Sequence, residues 1–153
     1  MWFSRKQAVK LPPQDAAGGG RAVSGQITTK SRGDAAEMAA RACLVGAGLR
    51  WIESNYRTPG RGGGEIDLVM RAPDGTLVFV EVRYRSTATH GGAGESIGAV
   101  KQRRIVFAAT HYLTRFASPP PCRFDVVLVQ GAFADGKILQ PALEWLPAAF
   151  DAS

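Results

Sequence analysis

The sequence predicts an α/β domain with the element order α-β-β-β-α-β, and three observations carry that expectation. Two stretches, 31–49 and 95–116, repeat apolar residues at helical spacing. Two strand-like segments flank a proline-glycine turn, "APDG". A short apolar run, "RFDVVLVQ", follows the second helical stretch. The chain has 153 residues and 45% hydrophobic content, which suits one domain, expected over 31–150, with a basic arm at 1–30.

Taken in order, "SRGDAAEMAARACLVGAGL" places Ala35, Met38, Ala39, Ala42 and Val45 on one helical face and stops at Gly46 and Gly48. "LRWIESNYR" alternates as a strand, and "TPGRGGG" breaks the chain before Glu65. This glycine cluster lacks the Gly-Lys-Ser/Thr ending of a nucleotide loop and runs into a strand rather than a helix, so a nucleotide-binding loop is rejected. Strands at 65–71 and 76–84 then form a hairpin, in which Pro73 presets φ and Gly75 accepts a left-handed backbone. The second helix repeats Ile97, Val100, Ala108, Tyr112 and Phe116 and ends before Pro119. After "RFDVVLVQ" the pattern supports at most one more strand and an irregular end.

Charge is distributed unevenly. The net charge is +6, yet residues 1–33 hold six of the nineteen basic residues and only Asp15 of the thirteen acidic ones, leaving 13 basic and 12 acidic residues elsewhere. The arm therefore reads as a flexible basic leader, either inert or phosphate-seeking, and the domain is nearly neutral. No apolar run is long enough to span a membrane. Cys43 and Cys122 lie far apart with no C-x-x-C pairing, which fits two reduced thiols in a cytoplasmic chain.

The hairpin raises a chemical question, because Asp67 and Glu81 stand among Val, Leu, Ile and Phe residues. A three-residue loop of Pro73, Asp74 and Gly75, closed by a glycine bulge, pairs Ala72 with Thr76 and sets Asp67 directly across from Glu81. Like charges so opposed are destabilising unless compensated. A divalent cation would compensate, and since Mg²⁺ keeps several waters and can take a substrate phosphate oxygen, about two or three carboxylates suffice. Arg83, two residues beyond Glu81, shares its face and could touch what the metal holds. It could instead bridge the two acids into a closed ion-pair cluster with no chemistry.

Asp67 followed by Glu81-x-Arg83 resembles the Asp…Glu-x-Lys signature of restriction-endonuclease-like nucleases. More closely, "GDAAEMAA", "NYRTPGRGGGEIDLV", "FVEVRYR", "KQRRI" and "RFDVV" in that order resemble the YraN family, small bacterial proteins distantly similar to archaeal Holliday junction resolvases. The resemblance covers about 31–150. It implies a restriction-endonuclease-like core, a mixed β-sheet flanked by helices, with Mg²⁺ or Mn²⁺ held by Asp67, Glu81 and helix-one Glu37. It also implies a nucleic-acid partner, DNA by preference, and endonuclease action on branched or damaged DNA through Asp67, Glu81 and Arg83.

Each carried-over role has a plainer rival. Glu37, three residues after Asp34, also fits a capping box. Lys101, Arg103 and Arg104 could bind phosphates or form a solvated helix face. Asp125 fits a pair with Arg123 better than a metal ligand, and His90 and His111 have no ligand partners at useful spacing. The departure from the signature is Arg83, since Lys can surrender a proton and Arg cannot. That substitution keeps open a catalytically inactive nucleic-acid-binding or protein-interaction module on the same fold.

Overall fold

Six strands make one mixed sheet in the order β1-β6-β5-β4-β3-β2. In the computed structural model, which describes residues 9–11, 29–86 and 97–152, they are β1 (Val9–Leu11), β2 (Arg50–Arg57), β3 (Glu65–Arg71), β4 (Leu77–Arg85), β5 (Cys122–Ala134) and β6 (Lys137–Phe150). Helices α1 (Thr29–Gly46) and α2 (Ala99–Leu113) cover the two faces. Only β4 and β5 run parallel, joined through α2, and every other pair is antiparallel. This is the mixed sheet flanked by helices that the sequence implies, extended by two strands at one edge.

The first helix buries a different stripe from the one its spacing suggested. Ala36, Ala40, Cys43 and Leu44 face the sheet, whereas Met38 is 72% exposed and Val45 is 48% exposed. Two alanines in that stripe let the helix lie close to the sheet, and the larger Met38 points outward. The helix closes in a Schellman arrangement. The Leu49 N–H donates to the Leu44 carbonyl and the Gly48 N–H to that of Val45, both at 3.0 Å, with Gly48 at φ +103°. Its start at Thr29 puts Asp34 inside the helix rather than at its cap, so the capping box for Glu37 is not formed.

The β3–β4 hairpin has the expected loop. The Gly75 N–H donates to the Ala72 carbonyl, the Ala72 N–H to that of Thr76, each at 2.9 Å, and Gly75 sits at φ +92°. Central strand β5 is buried without a break from Phe124 to Val129 because layers cover both of its faces. One layer joins Ala36, Ala40 and Leu44 of α1 to Leu68, Val80 and Val127; the other joins Ile105, Ala108 and Tyr112 of α2 to Phe79, Phe124 and Val126.

Three further expectations change. The one further strand expected after β5 is β6, and it takes in the "irregular end" as well; it is reached through a two-residue turn in which Asp135 and Gly136 both take positive φ. Helix α2 is described only from Ala99, and Val100 is exposed rather than buried; residues 95 and 96 lie outside the described residues. The arm contributes an edge strand, with Lys10 paired to Glu144 of β6; the rest of the stretch 1–28 lies outside the described residues. Cys43 and Cys122 are free thiols. Among the described residues no helix is long and apolar enough to cross a membrane.

Candidate functional site

The backbone breaks its own ladder at Asp67. Bonded pairing of β3 with β4 runs to Leu68 and Val80, and in an unbroken ladder the next bonded pair would be Ile66 with Val82. Instead the Asp67 carboxylate accepts the Val82 N–H through Oδ2 at 2.8 Å. Face alternation breaks at the same place: Leu68 packs in the α1 layer, while Ile66 packs with Val69 in the α2 layer. On the other side of β3 the pairing skips Asn55, which takes φ +54°, a conformation that asparagine tolerates better than most residues. Asp67 thus stands in a gap between strands, reachable from both helices.

From the α1 side comes Glu37, which accepts a hydrogen bond from the Asn55 amide and lies close enough to Asp67 to be repelled by it. Burial first, and the Asp67 charge second, push the Glu37 carboxyl up to about 7. From the α2 side comes Glu81, two residues after Phe79 of that layer, and only 6% exposed. Burial, again the largest cause, together with the charge and hydrogen bond of Asp67, raises its carboxyl to about 8. The Asp67 carboxylate therefore crowds Glu81 at the gap and adds to the effect of burial.

Lys101 of α2 answers part of this charge, with Nζ 3.3 Å from Glu81 Oε1. The other oxygen, Oε2, is buried with no hydrogen-bond partner among the described residues, and so is Nε of Arg83. Arg83 therefore does not bridge Asp67 and Glu81, and the closed ion-pair cluster that the spacing allowed is not formed among the described residues. Glu37 and Glu81 each feel the Asp67 charge, but no three His, Cys, Asp or Glu side chains among the described residues close on one point as a ready-made metal cage. The intimate contact is the Asp67–Glu81 pair.

The three basic residues of α2 divide. Lys101 and Arg104 line an open cleft of about 420 Å³ whose other wall is Arg57, Thr58, the glycines of "TPGRGGG" and Glu65. Arg103 lies around the helix in a separate groove with Val106, Phe107 and Asp151, so the three do not form one phosphate-contacting row. Asp125 is fully buried and satisfied by the Arg123 guanidinium at 3.1 Å, the Trp145 indole N–H at 2.9 Å and the Ala148 N–H at 2.9 Å. His111 hydrogen-bonds the Tyr56 hydroxyl; His90 lies outside the described residues. Sequence spacing gave no hint of Asn55, Thr58 or Arg57, since a left-handed residue inside a strand and a loop folded against a helix leave no periodic signal.

Residues 36–129, which carry Glu37, Asp67, Glu81, Arg83 and the α2 cations, match the description "Uncharacterised protein family UPF0102". The chain belongs to this family, also called YraN. It is 78% identical to a UPF0102 protein of Polaromonas naphthalenivorans (strain CJ2) over 153 residues, all of both chains. It is 71% identical to one of Polaromonas sp. (strain JS666 / ATCC BAA-500) over the same full length. With a UPF0102 protein of Paracidovorax citrulli (strain AAC00-1) it shares 62% identity over 127 residues, 83% of this chain and 87% of the other. The UPF0102 match begins at Ala36 within α1, takes in α2 and the whole gap in the sheet, and ends at Val129 within β5, before β6 begins.

Proposed function

We propose that the Asp67–Glu81 pair of this UPF0102 protein binds Mg²⁺ or Mn²⁺ and that the protein acts on a nucleic-acid phosphodiester, as a nuclease of branched or damaged DNA. The carrying observation is Glu81, a buried carboxyl with one oxygen unpartnered among the described residues and a second acid beside it. A divalent ion in place of its proton would relieve both the burial and the repulsion that the single Lys101 contact leaves. The donor set is one of hard carboxylate oxygens, with Glu37 close enough to Asp67 to feel its charge. When bound, such an ion orients water and neutralises charge developing on a phosphate.

The chain's own residues would supply the rest. Asp67 is fixed by the Val82 N–H and so offers its free oxygen in a set direction. Lys101 sits beside Glu81 and, unlike Arg83, can give up a proton, so it takes the place of the signature lysine. Arg83 keeps a permanent positive charge at the site for a non-bridging phosphate oxygen.

The test is Mg²⁺-dependent cleavage of duplex, single-stranded and four-way-junction DNA. Glu81→Ala is expected to abolish cleavage and Lys101→Met to reduce it at least tenfold, with Arg83→Lys retaining or raising it. Cleavage undiminished by Glu81→Ala would exclude this site. One observation favours a binding module without cleavage: Lys101 already neutralises one oxygen of Glu81. In that case no variant cleaves, and Glu81→Ala tightens DNA binding by removing a charge that repels phosphate.

A further inference from the structure

The glycine cluster "TPGRGGG" is built against α2 rather than left free. A methyl group on Gly64 would lie 1.9 Å from the Arg104 carbonyl oxygen, and one on Gly63 would lie 1.9 Å from Thr58 Oγ1. Neither position tolerates a side chain without moving backbone or the buried Thr58. The loop is closed across its base, where the Thr58 N–H donates to the Gly64 carbonyl at 3.1 Å and the Gly64 N–H to Thr58 Oγ1 at 2.9 Å. Gly60 and Gly62 take φ +87° and +75°, conformations that favour glycine even though open space surrounds them. The glycines thus serve close packing at one end of the loop and a bare, reversed backbone at the other.

The result is a fixed polar cleft walled by glycine backbone on one side and by Lys101 and Arg104 on the other. Its charges are uneven. Arg57 is paired with Glu65 at 3.3 Å and Lys101 with Glu81, whereas Arg104 has no carboxylate partner among the described residues. Lys101 links the cleft to the carboxylate pair, since it lines the one and touches Glu81 of the other. An unpaired guanidinium beside bare backbone suits a phosphate, whose oxygens accept from both.

We propose that this cleft grips a backbone phosphate of the nucleic-acid strand, neighbouring the phosphate presented to Asp67 and Glu81, with Arg104 as its principal contact. The inference rests on the nucleic-acid reading above and assigns the part of the substrate that the carboxylates do not touch. It gives the glycine cluster a role as a strand-backbone seat, distinct from a nucleotide loop. Base identity plays no part, so binding here is indifferent to sequence.

The experiment is fluorescence anisotropy of a labelled DNA duplex with the full-length chain in EDTA, over a series of salt concentrations, so that no cleavage intervenes. Arg104→Gln is expected to weaken binding several-fold and to flatten the plot of log affinity against log salt by about one ion. Arg103→Gln, in the other groove, should leave the slope unchanged. If Arg104→Gln binds with wild-type affinity and slope, or if Arg103→Gln flattens the slope equally, the cleft is not the seat, while the carboxylate reading still stands on its own cleavage test. If the wild-type chain binds no DNA, both readings fall. A parallel calorimetric titration with inorganic phosphate separates the sources. Arg104-dependent phosphate binding without any effect of Arg104→Gln on DNA would overturn the strand assignment in favour of a small phosphate ligand.

Discussion

Two buried acids in the same sheet meet opposite fates. Asp125 of β5 is fully buried, yet both of its oxygens are occupied by an arginine, an indole N–H and a backbone N–H, so its charge ties β5 to β6. Glu81 of β4 is almost as buried but has an empty oxygen, a lysine on the other and a second acid against it. The first acid is satisfied within the chain, whereas the second keeps an oxygen with no hydrogen-bond partner among the described residues. Near-equal burial hides a difference in the count of donors around each carboxylate.

The comparison breaks most visibly at Asp125. Asp125→Ala would strand the Trp145 and Ala148 donors and the Arg123 charge, and should cost about 3 kcal/mol or more of unfolding free energy in urea titrations. Glu81→Ala, which removes a repelled group, should cost much less in metal-free buffer. Equal losses at the two positions would show that Glu81 is also structural.

A smaller effect sharpens the contrast. Glu81 and Glu37 are raised to about 8 and about 7 from an ordinary 4.5. A group raised in the folded state stabilises fully below its unfolded value and loses that contribution as pH climbs through the folded one. Metal-free protein should therefore lose stability steadily from about pH 4.5 to pH 8, as read by thermal melts. Glu81→Gln should flatten most of this slope and raise Tm at pH 8 by about 2–4 °C, the effect of roughly 1 kcal/mol in a domain of this size. Glu37→Gln should flatten it less, since Glu37 is only partly buried. A melt insensitive to pH in the wild-type chain would mean that the two acids are not strained.

Much of this was legible in the sequence. The Pro73-Asp74-Gly75 loop fixes the register by turn chemistry, and that register holds as far as Leu68 and Val80, one step short of Asp67 and Glu81. What the register could not reveal is the gap itself. It depends on the Asp67 side chain taking a backbone hydrogen bond and on Asn55 adopting a left-handed conformation, both outcomes of tertiary packing rather than local pattern. The α1 stripe was misread because alanines on two faces give periodicity nothing to choose between; Met38, the bulkier side chain, drew the face toward itself and is exposed. By contrast, the one further strand expected after "RFDVVLVQ" is present, and its full length was hidden because Pro141 and Pro147 interrupt its alternation. The separation of Arg103 from Lys101 and Arg104 follows from helical geometry, in which neighbours in sequence point to different sides.

The most direct test of the Asp67–Glu81 site is calorimetric titration of Mg²⁺ or Mn²⁺ into the full-length chain at pH 7, repeated in two buffers of different ionisation heat. The cation should displace the proton held by Glu81, so the heats in the two buffers should differ by the release of up to about one proton per ion bound. Glu81→Gln should abolish both the binding and the proton release. Binding that persists in Glu81→Gln, or that releases no proton in the wild-type chain, would contradict the claim that this carboxylate pair is built for a divalent cation.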